Sequence, residues 1–201
     1  MNLPQRVSKI LFKPRPAWGT ISQENRTLRQ MMVGYVIPLA ALASTVAMVG
    51  WTFIGVDNVF VQLKGIRWGL YELVEKFLVF TLTILIVIFV LDLLAPFFKS
   101  QRNINKSAEL VSYSCTPGLV GALLAIIPSI GFIGYLFGVY GFYLWWLGLE
   151  PMKQTPEDKQ IPYLITSILL IIVVFAVLAN LLGWALQPLF GVDPLPDLKL
   201  H

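Results

Sequence analysis

The one acid inside a predicted membrane span is the first candidate for chemistry in this sequence. Asp92 lies near the end of an apolar run, and a charge at membrane depth is a candidate ion or proton site. It also lies within two helical turns of Lys99. Pairing or snorkelling toward the headgroups is therefore the simpler interpretation of Asp92.

Other uncharged polar residues lie within the apolar stretches. Tyr113 and Thr116 belong to a polar run that ends at Pro117, which frees backbone carbonyls. Such a kink either lines a small cavity or packs against a neighbouring helix. Asn180 is more typical of an interhelical hydrogen bond than of a ligand site. The candidate polar site consists of Asp92, Tyr113, Thr116 and Asn180.

Residue sets that most enzymes need are absent from the sequence. The single histidine is His201, the last residue, and the single cysteine is Cys115, so neither a Ser-His pair nor a disulfide within the chain can form. There is no P-loop, GxSxG or HExxH motif. One intramembrane carboxylate cannot make an aspartic dyad. We expect a protein that is not an enzyme and holds no metal or cofactor.

Composition predicts an all-α, multi-pass membrane protein. The 201 residues are 57% hydrophobic and 13% charged, with a mean hydropathy of +0.74. A basic segment, 1–30, precedes a membrane domain over 31–189, and a short tail follows over 190–201. The second span has no glycine in its middle, so we expect it to face lipid. The predicted spans are 31–54, 77–98, 110–127, 130–149 and 163–186.

The third and fourth predicted spans come from one uncharged stretch, Leu110 to Leu149. A single helix of that length would measure about 60 Å against a hydrocarbon core of about 30 Å. The stretch must turn back, and Pro128 and Gly131 are the residues that break a helix most sharply. The fold class is therefore a five-helix bundle with a tight Gly/Pro hairpin between helices 3 and 4.

Small residues repeat at heptad spacing on both sides of this hairpin. In lipid, close backbone contact through small side chains drives helix association, so the pattern predicts a packing seam. A leucine at Gly138 is expected to push the two helices apart. The seam consists of Ser114, Gly118, Gly121 and Ala125 on one helix and Gly131, Gly134, Gly138 and Gly141 on the other.

The first 30 residues carry six Lys or Arg and one acid. An apolar stripe of Leu3, Val7, Ile10 and Leu11 predicts a short helix lying on an anionic membrane face. Nucleic acid is not an expected partner, because the basic run adjoins a span. The predicted membrane-surface residues are Arg6, Lys9, Lys13, Arg15 and Trp18.

The distribution of positive charge predicts the orientation. A cytoplasmic N-terminus places 11 Lys or Arg in cytoplasmic segments and 4 on the other side. The reverse orientation breaks the positive-inside rule. We expect the N-terminus inside and the C-terminus outside.

The order of several short motifs resembles the Yip (Ypt-interacting protein) domain family. Each motif is weak alone, but together they cover nearly the whole chain. They are Pro16-x-Trp18-x-x-Ile21, Tyr113-Ser114-x-x-Pro117, Ile127-Pro128-Ser129-Ile130-Gly131, Tyr140-Gly141-Phe142-Tyr143-x-x-x-x-Gly148-Leu149 and Pro156-x-x-Lys159-x-x-x-Tyr163.

The resemblance implies five helices, a cytoplasmic N-terminus and no established catalysis. Eukaryotic members associate with Rab-type GTPases through N-terminal regions that are often long. About 30 residues precede the first span here, so GTPase binding is not carried over. The short form is similar to the prokaryotic branch, which implies the prokaryotic cytoplasmic (inner) membrane.

Two functions remain open at this point. The first is a non-catalytic scaffold or a module that binds lipids, another membrane protein or a second copy of the chain. The alternative is a small permease or channel whose path runs through the candidate polar site. A water-accessible cavity around those four residues would favour the permease, and a tightly packed bundle the scaffold.

Overall fold

Two short helices precede the bundle in the computed structural model, which describes residues 3–57 and 62–192. They are α1, Leu3–Phe12, and α2, Pro14–Ser22. Most of the predicted tail, including His201, lies outside the described residues.

The first span begins with α3, Leu28–Met31, where the Thr27 side chain and Gln30 form a reciprocal capping box. A π-helical turn, Met32–Val36, leads into α4, Ile37–Phe53. Beyond it, strand β1 (Val56–Asp57) pairs antiparallel with β2 (Gln62–Leu63).

The second span is α5, Ile66–Leu94, followed by a 3-10 turn, Ala95–Phe98. The prediction that it faces lipid was wrong, because α5 packs against both α4 and α9 and buries Val87, Ile88 and Leu91. Lipid and helix neighbours accept the same aliphatic side chains, so the absence of glycine did not distinguish them. The helix also begins eleven residues before the predicted span, at Ile66 rather than Phe77.

The last three spans follow the predicted order. The third comprises α6, Ile104–Ser114, then α7, Thr116–Gly121, and a 3-10 turn, Ala122–Ile126. The fourth comprises a 3-10 turn, Pro128–Ile133, and α8, Gly134–Lys153. The fifth is α9, Glu157–Phe190. Among the described residues, five helices are thus long and apolar enough to cross a membrane, and the all-α fold with its tight hairpin is confirmed.

The small residues of the third and fourth spans face one another in antiparallel register. Cβ atoms placed on Gly121 and Gly134 would collide with the opposing backbone carbonyls, and one on Gly141 would lie 2.5 Å from the Ser114 carbonyl oxygen. Nearer the hairpin, Gly131 approaches the Ala125 Cα. No side chain larger than hydrogen fits at the tightest of these positions.

Gly138 is the exception in this seam. A Cβ added there would meet no atom within 4 Å, although Gly118 lies opposite. The expectation that a leucine at Gly138 forces the helices apart was therefore wrong, because two facing glycines leave open space at this level. That space belongs to the cavity described below.

The bundle has two distinct ends. We call the end that contacts α1 and α2 the proximal end, where Trp18 packs beside Gly148. We call the end with the hairpin turn the distal end, where Gly50 of α4 touches the Ala125 backbone. Most of the largest fully buried side chains lie toward the proximal end, among them Trp18, Trp145, Tyr113 and Lys153.

Candidate functional site

A cavity of about 550 Å³ lies between α4, α5, the hairpin helices and α9. Its walls are mostly small or apolar side chains, among them Ala43, Ala47, Phe80, Leu119, Ala122 and Ala176. Phe132, Tyr135 and Ile172 line its edge and are exposed at the protein surface. The cavity therefore opens sideways between α8 and α9, toward the region that lipid chains occupy.

A cluster of three charged residues lies on α5 next to this cavity. Glu72 and Lys76 line it, and Lys76 Nζ lies 3.6 Å from Glu72 Oε2 and 3.0 Å from Glu75 Oε2. Glu72 is only 7% exposed. Helical spacing places all three within about one turn, so two carboxylates share a single ammonium.

Several polar atoms along the cavity are buried without a hydrogen-bond partner among the described residues. They are Glu72 Oε2, Thr83 Oγ1, Ser114 Oγ and Trp145 Nε1. Buried polar groups in native structures almost always have a partner, and each exception needs an explanation. The residues that line the cavity therefore include four whose hydrogen-bonding capacity is unused among the described residues.

Packed aromatic side chains close the proximal side of the cavity. The Tyr35 and Tyr113 rings meet edge-on with centroids 4.8 Å apart, and the Tyr35 hydroxyl shares a 2.7 Å hydrogen bond with Thr116 Oγ1. Trp18 packs edge-on against the other side of Tyr113. Tyr113 and Thr116 are therefore fully buried and do not line the cavity.

The N-terminal helices dock onto the bundle at this aromatic layer. Arg6 donates to the Tyr113 hydroxyl at 2.7 Å and to Glu24 at 2.9 Å, and Tyr140 donates to the Leu11 carbonyl. Burial lowers the pKa of Arg6, but Tyr113 and Glu24 outweigh it, so the pKa of Arg6 is raised.

This docking corrects part of the predicted membrane surface. Arg6 and Trp18 are buried in the protein rather than facing lipid headgroups, and the apolar stripe of α1 packs against the bundle through Ile10. The sequence pattern of an amphipathic helix is the same whether its apolar face meets lipid or protein. Lys9, Lys13 and Arg15 are exposed, and their contact with lipid headgroups stays a prediction.

Asp92 belongs to a separate polar network near the proximal end. Its Oδ1 accepts from Lys153 Nζ at 3.0 Å, Ser107 Oγ at 2.8 Å and the Asn103 backbone N–H at 2.8 Å. Lys153 is fully buried and also donates to Ser107. The expected partner, Lys99, is not the one used. Lys153 is 61 residues away in sequence, and only the fold brings it to Asp92.

The four residues of the predicted polar site do not form one site. Asn180 is exposed and donates to the Ala176 carbonyl of its own helix, so it makes no interhelical bond among the described residues. The charged cluster of Glu72, Glu75 and Lys76 was missed as a site, because it precedes the predicted second span, which began at Phe77. Its i, i+3, i+4 spacing was the available signal for a helix.

Comparison with protein families identifies the chain. A family model described as Yip1 domain matches residues 8–179. The chain belongs to the Yip1 domain family. Comparisons with curated proteins and with solved structures gave no match. The Yip1 match begins within α1 and ends within α9, so it includes both walls of the lateral opening.

Two of the motifs that resemble this family contact each other. Trp18 of the N-terminal motif packs on Tyr113 of the motif that opens the third span. Yip1 proteins are a non-enzymatic membrane family, which agrees with the bundle seen here. Trp18 and Tyr113 of these motifs therefore mark the docking of α2 onto the bundle, whereas Ser114, Pro128 and Gly141 of the same motifs line the cavity.

Proposed function

We propose that this Yip1 protein is a non-catalytic membrane protein that binds the apolar part of a membrane lipid in its lateral cavity. The observation that carries the proposal is an apolar cavity that opens between α8 and α9 and whose lining residues include four with a buried polar atom that makes no hydrogen bond among the described residues. A volume of about 550 Å³ falls within the usual range of small-molecule sites.

The shape of the cavity supports binding over transport. A permease path would have to continue past the proximal side, where Tyr35, Tyr113 and Trp18 are packed and no more than 1% exposed. Of the four residues predicted for a polar path, none lines the cavity. A cavity with a side opening and a closed end suits a molecule that enters from the membrane.

A lipid with a photoactivatable acyl chain tests this proposal in membranes. We expect crosslinks on Leu119 of the inner wall, which is 4% exposed and beyond the reach of bulk lipid, and excess unlabelled lipid should suppress them. Leu169 and Val173, on the exposed surface of α9, should be labelled without saturation. Labelling confined to such exposed residues would contradict lipid entry.

We further propose that the proximal end faces the cytoplasm. The support is the count of 11 against 4 positive residues, together with exposed Lys9, Lys13 and Arg15, which suit anionic headgroups. A reporter active only outside the cytoplasm should be active after His201 and silent after Lys153. The reverse pattern would overturn this orientation.

A further inference from the structure

The charged cluster on α5 suggests which polar group the cavity receives. We infer that the bound molecule carries a cationic ammonium group, held by Glu72 at the distal part of the cavity. This inference rests on the proposed lipid binding and adds the chemical class of the ligand's polar end.

Formal charge is the first support. Glu72 and Glu75 together carry two negative charges against the one positive charge of Lys76, so the cluster holds one negative charge in excess. Arg67, the other cation on this part of α5, is exposed and lies near Gly191. A buried excess charge is costly unless a partner of opposite sign compensates it. A cationic ligand group supplies that partner, whereas an anionic group would find only the already shared Lys76.

The geometry of Glu72 is the second support. Its side chain lines the cavity and is 93% buried, since 7% remains exposed, and its Oε2 has no hydrogen-bond partner among the described residues. Lys76 Nζ lies 3.6 Å away, beyond ordinary hydrogen-bond distance. Glu72 Oε2 therefore retains an unused acceptor position on a residue that lines the cavity.

An aromatic ring near Glu72 fits the same ligand class. Trp51 also lines the cavity, and it stacks on Trp68, one helical turn before Glu72. Ammonium groups bind favourably near tryptophan rings, particularly where water is excluded. Glu72 lies about 9 Å along the helix from its first residue, a depth that a lipid headgroup at the interface can reach.

Lipid retention by the purified protein in a neutral detergent tests the inference. Native mass spectrometry would compare phosphatidylethanolamine with phosphatidylglycerol of identical acyl chains. We expect the parent to prefer the ethanolamine lipid by about tenfold. Glu72→Gln should abolish that preference. Glu157→Gln, which removes an exposed acid near the start of α9, should keep it.

Two further experiments identify the ammonium group of the ligand and the kind of molecule that carries it. A phosphate-free alkyltrimethylammonium should displace the ethanolamine lipid from the parent but not from Glu72→Gln. The mass of the molecule that copurifies from native membranes distinguishes an ammonium-bearing lipid from a free amphiphilic amine, and either supports the inference. An anionic or uncharged ligand would overturn it.

Failure of the inference can be told from failure of lipid binding. Equal retention of both lipids by the parent, or an unchanged preference in Glu72→Gln, overturns the ammonium assignment alone. If the parent retains neither lipid and its copurified lipid is unchanged by Gly138→Leu, the proposed lipid binding fails as well.

Discussion

Lys153 at the proximal end is fully buried and donates hydrogen bonds to both Asp92 and Ser107. Glu72 beside the cavity is almost as buried, but its Oε2 makes no hydrogen bond among the described residues. Both groups are costly to bury, but the Lys153 ammonium is hydrogen-bonded to two partners, whereas Glu72 shares the single ammonium of Lys76 with Glu75. This difference indicates that the proximal network stabilises the fold, and it agrees with the proposal that the cavity binds a lipid.

The largest effect is expected from removing one partner of the proximal ion pair. Lys153→Met removes the buried cation of Asp92 and leaves it only the exposed Arg102 at 3.6 Å, and breaking such a buried pair costs about 3–5 kcal/mol. Thermal unfolding in detergent would measure it. Glu72→Gln is the matched control and should change stability by less than about 1 kcal/mol, since the amide replaces a carboxylate that lacks full pairing. Equal destabilisation by both substitutions would erase the contrast between the two regions.

A smaller effect is expected at the N-terminal docking site. Arg6→Gln removes charge-assisted hydrogen bonds to Tyr113 and Glu24, at a cost of about 2 kcal/mol. The loss should appear as faster proteolysis between α1 and α2, with the bundle intact. Gln5→Ala, at an exposed position on the same helix, is the control. If both variants are cleaved at the parent rate, Arg6 does not hold the segment in place.

The smallest effect distinguishes the tight and open parts of the glycine seam. Gly121→Ala places a Cβ against the Gly134 carbonyl and should destabilise the protein by about 1 kcal/mol. Gly138→Ala should be neutral or slightly stabilising, because it meets no atom and reduces the freedom of the unfolded chain. Thermal midpoints of the two variants measure the difference. The opposite order would mean that the seam closes at Gly138 instead.

The features that were predictable from sequence are those with a local cause. The hairpin followed from Pro128 and Gly131, and the seam followed from the spacing of glycines that close helix contact requires. The burial of Arg6 and Trp18 inside the protein was not predictable, since an apolar stripe does not reveal whether it meets protein or lipid.

The candidate site could not be found in the same way. The local hydropathy is lowered by Glu72, Glu75 and Lys76. The predicted second span therefore began only at Phe77, whereas the helix itself begins at Ile66. The cavity is a gap between helices of all five spans, and no local residue pattern predicts such a gap. Asp92 was recognised as important, but its partner Lys153 comes from a distant span.

The central claim is that the cavity holds a lipid, and Gly138→Leu tests it most directly. The leucine side chain would extend into open space at the cavity wall, so it should fill the site without disturbing the fold. Gly34→Leu is the matched control, because a Cβ there also meets no atom and Gly34 lies outside the cavity lining. The measurement is the amount of lipid that copurifies per protein, with equal thermal midpoints as the test of folding. We predict that Gly138→Leu loses bound lipid while Gly34→Leu and the parent retain it. Equal lipid content in all three proteins would contradict the account.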